Sequence, residues 1–575
     1  MPIRPMTGNP SQLMIEQLAA SGIKYVFYNS GSREAPFFDA LQENRNVHGI
    51  LSLHEGIVTA VAGGYSQARG EPAVMLVHLG AGLAQCMGQL INVWYGSLPV
   101  VVLTFHGDTG SFSDRIVLDL GHNAPPQSLS VPLTKASWTV VEPEGLPAAV
   151  ERAIRVAKTP PVGPVHLAIY DRLLGSKQYA SHIIEGGIPD LRLGYPDDGD
   201  LEKLAIALHS AERPLIYVGD GVWKSGAEPQ VTKLAERFGA AVSSATGDLR
   251  GVPISHPQHC GQFRAAASAV KPDLIVCIGA RHGGIGVAAD YAPFMEAKRI
   301  ISLGDGVENF SNLPGLELSI MADIRRSMDR LEAMVASEHK PSRYDQRRSA
   351  ALEIAAKLRE NRRKGLQTER KEAGRVRPSV LLDSLQNALE KAGGGIVTTE
   401  EFAAPLEAVS AVPGGGKVAW LRPAGNSEGF GMGAPIGAKL GAPDKPVVGL
   451  VGDGSVYYHD SAFYTAVHHR VPALWVIPNN GSYGIVAGAF GEFGGTMKKS
   501  GEYSGVVLDD IDPLKIAEGF GVEGHKVTEE PAVQKEIEKS LDLVEKEGRP
   551  YVLDVRLPRG LPAGGKAAKP FHLAG

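Results

Sequence analysis

A carboxylate and an amide follow two apolar runs in the last third of the chain, at a spacing that suits a shared metal site. Pro446–Val451 ends at Gly452–Ser455, which reads GDGS, and Ala473–Ile477 ends before Asn479–Ser482, which reads NNGS. Both runs are typical of buried parallel strands, whose carboxyl ends meet at one edge of a sheet. Asp453 and Asn480 could hold a divalent cation such as Mg²⁺ there, and the glycine backbone could approach a phosphate.

The Gly-Asp-Gly turn alone is a weak signal, because it occurs three times in this chain. The copies at Gly219–Gly221 and Gly304–Gly306 lack an Asn pair at a strand–helix–strand distance. We interpret both as ordinary turns at strand ends. In the third copy, GDGS is followed by Val456–Pro478, long enough for a helix and a strand, and then by Asn-Asn.

This third pattern resembles the fingerprint of enzymes that use thiamine diphosphate. The resemblance implies that Asp453, Asn480 and the backbone carbonyl of Ser482 hold Mg²⁺, which bridges the diphosphate of the cofactor. Further cofactor contacts are implied for residues of the same two turns: Gly452, Gly454, Ser455 and Tyr483. A purely structural turn is the alternative.

Glu55 follows an apparent strand, Gly49–Leu53, and precedes a Gly- and Ala-rich helix, Thr59–Ala68. A carboxylate in a first helical turn is explained simply by the positive end of the helix dipole. The resemblance implies instead that Glu55 bonds a pyrimidine nitrogen of the cofactor and promotes the tautomer that takes the proton from the thiazolium carbon. In this family the two half-sites usually meet across a subunit interface, so we expect a dimer or a dimer of dimers.

Four blocks resemble the benzoylformate decarboxylase branch: residues 29–38, 54–82, 92–102 and 479–484. The last block resembles that branch better than pyruvate decarboxylase or acetolactate synthase. The resemblance implies that Ser32 contacts the substrate carboxylate and that His78 handles protons on the covalent intermediate. Ser32 could instead cap the following helix, and His78 could be a structural imidazole.

The loop after the apparent strand Leu274–Ile278 carries Arg281 and His282. It lacks a complete GxGxxG pattern, so a nucleotide site is weakly indicated and FAD is not expected. Enzymes of the resembled branch take a second active-site histidine from this loop. His282 lies nearer the strand than that pattern expects, and Arg281 could instead pair with an acidic group of the substrate.

One position departs from the family pattern. Immediately before Gly429 the family places a large apolar residue, which holds the cofactor in its bent form, whereas this chain has Glu428. An unpaired carboxylate is costly to bury. Either Glu428 has a partner, such as Arg422, or Met432 takes the place of the apolar residue. The departure suggests that the reaction differs from the usual one of the branch.

Composition excludes several classes of protein. The 575 residues carry a net charge of −5 and show no basic cluster among aromatic residues, which argues against nucleic acid as the main partner. The three cysteines have no CxxC spacing, so neither a disulfide framework nor a zinc site is indicated. No run of about 18 apolar residues and no signal peptide are present, and we expect a cytoplasmic protein without a membrane segment.

Helices and strands alternate along the chain, which predicts an α/β protein with three doubly wound parallel-sheet domains. We place a pyrimidine-binding domain at 1–185, a middle Rossmann-like domain at 200–335 and a diphosphate- and Mg-binding domain at 377–560. A charged helical linker at 336–376 and a tail at 561–575 complete the chain. Pro164–Tyr170 and Tyr551–Val555 are expected to close their sheets, and Ser379 to lie near a helix cap.

The resemblance implies decarboxylation of a 2-oxo acid to an aldehyde through an enamine, with Ser32 and either His282 or Arg281 holding the substrate carboxylate. Carboligation, as in acetolactate synthase, and cleavage of a 2-hydroxyacyl-CoA or a diketone are alternatives, because the enamine is common to the decarboxylation and carboligation routes. A nucleotide-dependent regulator and a non-catalytic subunit are further hypotheses. The presence of Glu55, Asp453 and Asn480 argues against a non-catalytic subunit.

Overall fold

Three parallel sheets follow one another along the chain in this computed structural model. The structure describes residues 2–107, 117–120, 124–189, 191, 193–244, 251–280, 288–307, 313–337, 341–400, 417–509, 511–570 and 572–573. The predicted fold class, three α/β domains with parallel sheets, is confirmed. The central strands of each sheet are apolar runs that are buried on both faces, as parallel strands covered by helices must be.

The first sheet has the order β3-β2-β4-β5-β7-β6, and β1 pairs antiparallel with β8. Its elements are β1 (Ile3–Gly8), α1 (Pro10–Ala20), β2 (Tyr25–Tyr28), α2 (Ala35–Glu43), β3 (His48–Leu51), α3 (Glu55–Arg69), β4 (Ala73–His78), α4 (Leu79–Tyr95), β5 (Val100–His106), β6 (Ala136–Val140), α5 (Leu146–Lys158), β7 (Val165–Tyr170) and β8 (Tyr179–Ile184).

The middle sheet has the order β11-β10-β9-β12-β13-β14, in which the first strand lies at the centre, as in dinucleotide-binding folds. Its elements are α6 (Asp198–Ser210), β9 (Pro214–Val218), α7 (Gly221–Lys224), α8 (Glu228–Phe238), β10 (Ala241–Ser244), β11 (His259–Gln262), α9 (Phe263–Val270), β12 (Leu274–Ile278), α10 (Ala288–Glu296), β13 (Arg299–Gly304), β14 (Leu316–Met321), α11 (Ile324–Val335) and α12 (Ser342–Gln367).

The third sheet has the order β16-β15-β17-β18-β21-β20, and β19 pairs with β22. Its elements are α13 (Pro378–Lys391), β15 (Gly395–Glu400), β16 (Val418–Leu421), α14 (Phe430–Gly441), β17 (Val447–Val451), α15 (Asp453–Val456), α16 (Ala462–His468), β18 (Leu474–Asn479), α17 (Gly484–Phe493), α18 (Thr496–Ser500), β19 (Glu502–Tyr503), α19 (Pro513–Gly519), β20 (Glu523–Val527), α20 (Val533–Glu547), β21 (Tyr551–Arg556) and β22 (Lys566–Ala567).

The first and third sheets share one topology. If the six strands of each sheet are counted along the chain, the sixth strand lies between the fourth and the fifth in both sheets. Pro164–Tyr170 and Tyr551–Val555, which were expected to close their sheets, correspond to β7 and β21, the last strands of these sheets along the chain, but neither lies at the edge. β6 and β20 form the edges instead. Both edge strands are partly exposed and polar, so they lack the continuous apolar run that identifies a buried strand.

The first and third domains meet through helices α3 and α14, which approach closely at glycines. A Cβ atom on Gly437 would lie 1.9 Å from the carbonyl oxygen of Val61, and one on Gly64 would lie 2.2 Å from that of Ala434. Only glycine permits this backbone separation. The shared core therefore joins the two domains that carry the predicted halves of the site.

The charged segment expected to be a helical linker contains α12, whose few buried residues include Tyr344, Ala351 and Ala355 and pack against the middle domain. Ser379 lies near the cap of α13, as expected: Arg377 occupies the cap position, and Ser379 is in the first turn and donates to Glu369. Within the described ranges, no helix has the length and apolar character needed to cross a bilayer.

Candidate active site

A cavity of about 880 Å³ opens at the carboxyl ends of β17 and β18. Both predicted turns line it, since the strands that precede them are neighbours in the third sheet. The lining residues used below are Arg422, Glu428, Gly452, Asp453, Gly454, Ser455, Tyr458, Asn480, Ser482 and Tyr483. The sequence prediction that Asp453 and Asn480 follow adjacent strand ends agrees with this arrangement.

Asp453 is the first residue of α15 and is only 2% exposed. Its Oδ1 atom accepts a long hydrogen bond of 3.4 Å from the Asn480 N–H, and its Oδ2 atom has no hydrogen-bond partner in the described part of the chain. Burial raises the pKa of this carboxyl to about 6, against the opposing effect of nearby backbone N–H groups. A buried carboxylate oxygen without a donor suits a cation.

The loop after β18 presents oxygen atoms beside Asp453. The Asn480 Oδ1 atom accepts from the Ser482 N–H at 2.9 Å and from its hydroxyl at 3.1 Å, which orients the amide. Gly481 has φ +67°, a left-handed conformation that favours glycine. Carboxylate, amide and carbonyl oxygens are the donor set that Mg²⁺ takes. Among the described residues no group of three or more His, Cys, Asp or Glu side chains offers a different metal site.

The Gly454 backbone lies against the Tyr483 ring, since a Cβ atom there would be 2.8 Å from two ring carbons. A side chain at this position would collide with Tyr483, whereas glycine leaves the backbone of Gly452, Gly454 and Ser455 on the cavity wall, where its N–H groups can face a phosphate. The residues present thus fit both a divalent cation and the diphosphate that it would bridge.

Glu55 begins α3 in the first domain and is 6% exposed. Its Oε1 atom accepts a hydrogen bond of 3.2 Å from Asn29 Nδ2, and the absence of a side chain on Gly82 leaves space beside the same atom. Glu55 is not among the described residues that line the 880 Å³ cavity.

Ser32 and His78 belong to neighbouring turns of the first domain. The His78 Nδ1 atom lies 2.8 Å from the fully buried carboxylate of Glu34, and this hydrogen bond raises the pKa of His78. Gly31 packs on the imidazole so closely that a Cβ atom would be 2.1 Å from Nδ1. Ser32 is exposed and its hydroxyl caps no helix, so the alternative role of a helix cap is wrong.

The sequence also predicted roles for Arg281, His282, Met432 and Glu428. Arg281 and His282 lie outside the described residues. Met432 is fully buried in the core between α3 and α14 and does not line the cavity, so it does not replace the apolar residue of the family. Glu428 does line the cavity, and its carboxylate makes no hydrogen bond or ion pair with Arg422 or any other described residue.

Glu400, at the end of β15, is a residue of the site that the sequence did not assign. It is 1% exposed, its Oε1 atom accepts from the Gly429 N–H at 2.6 Å, and its Oε2 atom accepts from the Gly431 N–H. Burial raises its pKa to about 7. An acid directly after an apolar strand was visible in the sequence, but its partners lie about thirty residues away and become neighbours only in the fold.

Models of three protein families match successive parts of the chain. They describe the N-terminal thiamine pyrophosphate-binding domain, at residues 9–130, the central domain, at 201–331, and the C-terminal thiamine pyrophosphate-binding domain, at 419–555, of thiamine pyrophosphate enzymes. Each range falls within the part of the chain that builds one of the three sheets, although the first ends before β6 and the third begins after β15.

Similar proteins extend over nearly the whole chain. Benzoylformate decarboxylase of Pseudomonas aeruginosa is 28% identical, with 94% of this chain and 97% of that protein covered. A probable acetolactate synthase large subunit of Methanocaldococcus jannaschii is 25% identical, with 95% and 91% covered.

One solved structure is similar to this chain in both sequence and fold. It is the thiamine diphosphate-dependent 4-hydroxybenzoylformate decarboxylase of Rhodococcus jostii RHA1, with a TM-score of 0.78, 25% identity, and 96% and 99% covered. The three domain models, which together cover most of the chain, and the similarity to these full-length proteins show that the chain belongs to the family of thiamine pyrophosphate-dependent enzymes.

Proposed function

We propose that the chain is a lyase that uses thiamine diphosphate and Mg²⁺ to remove CO₂ from a 2-oxo acid and release an aldehyde. The observation that carries the proposal is the buried Asp453 carboxylate. Its Oδ2 atom has no hydrogen-bond donor among the described residues, and Asn480 and Ser482 line the same cavity. The similarity to two aromatic 2-oxo acid decarboxylases over the full length supports the same reaction class.

In this proposal Asp453, Asn480 and the Ser482 carbonyl hold the metal, and the backbone of Gly452–Ser455 receives the diphosphate. The bound cofactor supplies a thiazolium ring that adds to the substrate ketone and takes up the electron pair released with CO₂. Glu55 would bond the pyrimidine, and Asn29 fixes the orientation of its carboxylate through the bond to Oε1.

His78 and Ser32 would act on the substrate. The bond of His78 Nδ1 to Glu34 fixes the imidazole, so that the Nε2 atom is the one that gives or takes a proton. The Ser32 hydroxyl is exposed and is available to donate to the substrate carboxylate. Because Glu55 does not line the cavity of its own chain, the proposal includes at least a dimer, in which a second copy supplies Glu55.

The test measures CO₂ and aldehyde from a panel of aromatic and aliphatic 2-oxo acids, with thiamine diphosphate and Mg²⁺ supplied. Asp453→Ala should abolish release, whereas Asp542→Asn, which changes an exposed carboxylate of the same domain, should not. Equal amounts of CO₂ and aldehyde support the proposal. No CO₂ from any acid, with cofactor binding demonstrated, would refute decarboxylation and favour cleavage of a diketone or a hydroxyacyl thioester.

Carboligation is the second candidate, because acetolactate synthase subunits also match more than nine-tenths of the chain. The same assay separates the two reactions. CO₂ release without an equal amount of aldehyde, together with a hydroxyketone product, would indicate that a second carbonyl compound is the acceptor.

A further inference from the structure

The turn that carries His78 has a strained backbone. Leu79, which follows His78 and is the first residue of α4, has φ +55°, and it is only 1% exposed. A leucine seldom adopts this left-handed conformation, because in it the Cβ atom crowds the following carbonyl oxygen. Residues in such conformations persist only where the surrounding structure holds them, and they concentrate at functional sites. Contacts from outside the turn must therefore hold Leu79.

The segment Leu118–Leu120 supplies these contacts. The Gly80 N–H donates to Asp119 Oδ1 at 3.1 Å, and the Ala81 N–H donates to the Leu118 carbonyl at 2.9 Å. A Cβ atom on Gly80 would lie 2.7 Å from a backbone nitrogen of the segment, so only glycine lets the two backbones approach this closely. Leu118 is itself left-handed, with φ +77°. The strained turn and this segment therefore hold each other.

Asp119 is in turn fixed inside the first domain. Its carboxylate also accepts from the Gly107 N–H at 2.9 Å and lies 2.9 Å from His106 Nδ1, and both side chains of this pair are fully buried. His106 Nε2 lies 2.7 Å from the Thr104 hydroxyl, which lies 2.7 Å from His166 Nε2. A buried carboxylate with these partners cannot move without leaving polar groups unpaired, which is costly. Asp119 is therefore a rigid anchor for the turn.

The pKa of His78 reports where the imidazole lies. The hydrogen bond to Glu34 raises this pKa against the effect of burial, the charges of Glu34 and Glu55 raise it further, and the charge of Arg33 lowers it. The imidazole is thus close enough to feel Glu55, the carboxylate proposed to bond the pyrimidine. If the turn shifts, the imidazole leaves Glu34, and the pKa of His78 falls toward the ordinary histidine value of about 6.5.

We propose that Asp119 is a positioning residue that holds the strained turn at Leu79 and thereby fixes the His78 imidazole for proton transfer. This inference rests on the proposed function, in which His78 transfers the proton. It has a consequence for position 79. Glycine adopts φ +55° at little cost, so a turn with glycine there needs the anchor less. The loss of Asp119 should therefore matter less once Leu79 is replaced.

The experiment is a double-mutant cycle on the full chain, with the wild type, Asp119→Asn, Leu79→Gly and the double variant. Asp119→Asn keeps the size of the side chain but replaces one accepting oxygen by a donating amide group. NMR of protein with labelled histidine measures the pKa of His78, whose signal is identified by its loss in His78→Gln. The values of kcat and KM for CO₂ release are measured on the same four proteins, with thiamine diphosphate and Mg²⁺ supplied.

Asp273→Asn is the matched control, because Asp273 also accepts two backbone N–H groups but lies in the middle domain. Asp119→Asn should lower the pKa of His78 and reduce kcat roughly tenfold with little change in KM. Both effects should shrink in the Leu79→Gly background, and Asp273→Asn should produce neither. The cycle subtracts the effect that Leu79→Gly has by itself.

An unchanged pKa of His78 in Asp119→Asn, or an equal effect in both backgrounds, would overturn the inference. If Asp119→Asn does not fold, Thr104→Val takes its place in the cycle, since it keeps Asp119 and removes only the hydroxyl that holds His106; the same outcomes then decide. A wild type that releases no CO₂ would overturn the proposed function alone, because the pKa of His78 tests the positioning without turnover.

Discussion

Asp453 illustrates how the site and the stability of the fold are linked at the scale of single residues. Its Oδ2 atom is buried without a hydrogen-bond donor among the described residues. Burial of a charged group in this state opposes folding, and a bound cation removes the penalty. A ligand that binds only the folded chain also raises its stability in proportion to the logarithm of ligand concentration. The unliganded protein should therefore be less stable than its liganded form, because its Asp453 carboxylate is buried without a cation.

Asp453→Asn tests this link, because the amide is neutral and of the same size. We expect the unliganded variant to match the wild type or to exceed its stability by up to about 2 kcal/mol at pH 8. We also expect it to lose the increase in melting temperature that Mg²⁺ and thiamine diphosphate produce in the wild type. Calorimetric melting with and without both ligands measures the two effects. An equal increase in the variant would contradict the proposed metal ligand.

The pair His78 and Glu34 makes part of the stability depend on pH. The folded-state pKa of His78 is raised, first by the hydrogen bond to Glu34. A histidine whose pKa is raised by folding stabilises the folded state. This contribution is complete when the pH is below the unfolded-state pKa of about 6.5, and it disappears as the pH rises through the folded-state pKa.

Glu34→Gln should therefore destabilise the chain by roughly 1–2 kcal/mol at pH 6 and by less at pH 9, where the imidazole is neutral in both proteins. Urea unfolding midpoints at the two pH values provide the comparison. Asp542→Asn, on the surface of α20, should show no such pH dependence. A destabilisation that is larger at pH 9 would exclude a charged His78 as its cause.

At the scale of elements, the contact between α3 and α14 decides how the first and third domains are held together. Their backbones approach at Gly64 and Gly437, where a Cβ atom would collide with main-chain atoms rather than with movable side chains. Main-chain atoms in two packed helices cannot give way locally, so any side chain there must push the helices apart. Glu55 at the start of α3 and Glu428, just before α14, depend on this same contact for their placement.

Gly437→Ala should destabilise the chain by about 2 kcal/mol or more, because overpacking outweighs the helix propensity of alanine. Gly365→Ala is the matched control, since Gly365 also lies inside a helix, α12, but has no atom within 4 Å of the added Cβ. That control should be neutral or stabilising by up to about 1 kcal/mol. Unfolding of both variants in urea gives the two values, and a stabilising Gly437→Ala would show that the helices are less tightly packed than described.

At the scale of the whole molecule, two observations bear on the dimer that we propose. Glu55 does not line the cavity that contains Asp453. Helix α17, which borders that cavity, exposes the apolar side chains of Ile485, Val486 and Phe493, the last of them 87% exposed. An apolar surface beside a binding cavity is typical of an interface. A second copy that covers α17 would hide this surface, and in a two-fold dimer each copy would supply what the other lacks.

Mixing two inactive variants tests the shared site. Glu55→Gln and Asp453→Asn should each abolish turnover, because each removes a proposed half-site. If a site takes Glu55 from one copy and Asp453 from the other, random exchange of subunits restores about one quarter of the wild-type activity. Half of the dimers are then mixed, and each has one intact site. No recovery after exchange, verified with differently tagged subunits, would place both residues of a site in one chain.

Much of the fold follows from local sequence. The central strands β17 and β18 were predicted at Pro446–Val451 and Ala473–Ile477 and extend over Val447–Val451 and Leu474–Asn479. A buried parallel strand must be apolar throughout, so its sequence identifies it without reference to the rest of the chain. The edge strands β6 and β20 escaped prediction, because a half-exposed strand is free to be polar.

The sequence by itself determined the three-domain α/β class and the two turns that bring Asp453 and Asn480 to one sheet edge, because each depends on residues close together in the chain. Only the tertiary structure decided that Glu34 holds His78 and that Glu400 holds the turn beside Glu428. These arrangements join residues that are distant in sequence. Their distances are set by the packing of helices and sheets, which no local pattern of residues records.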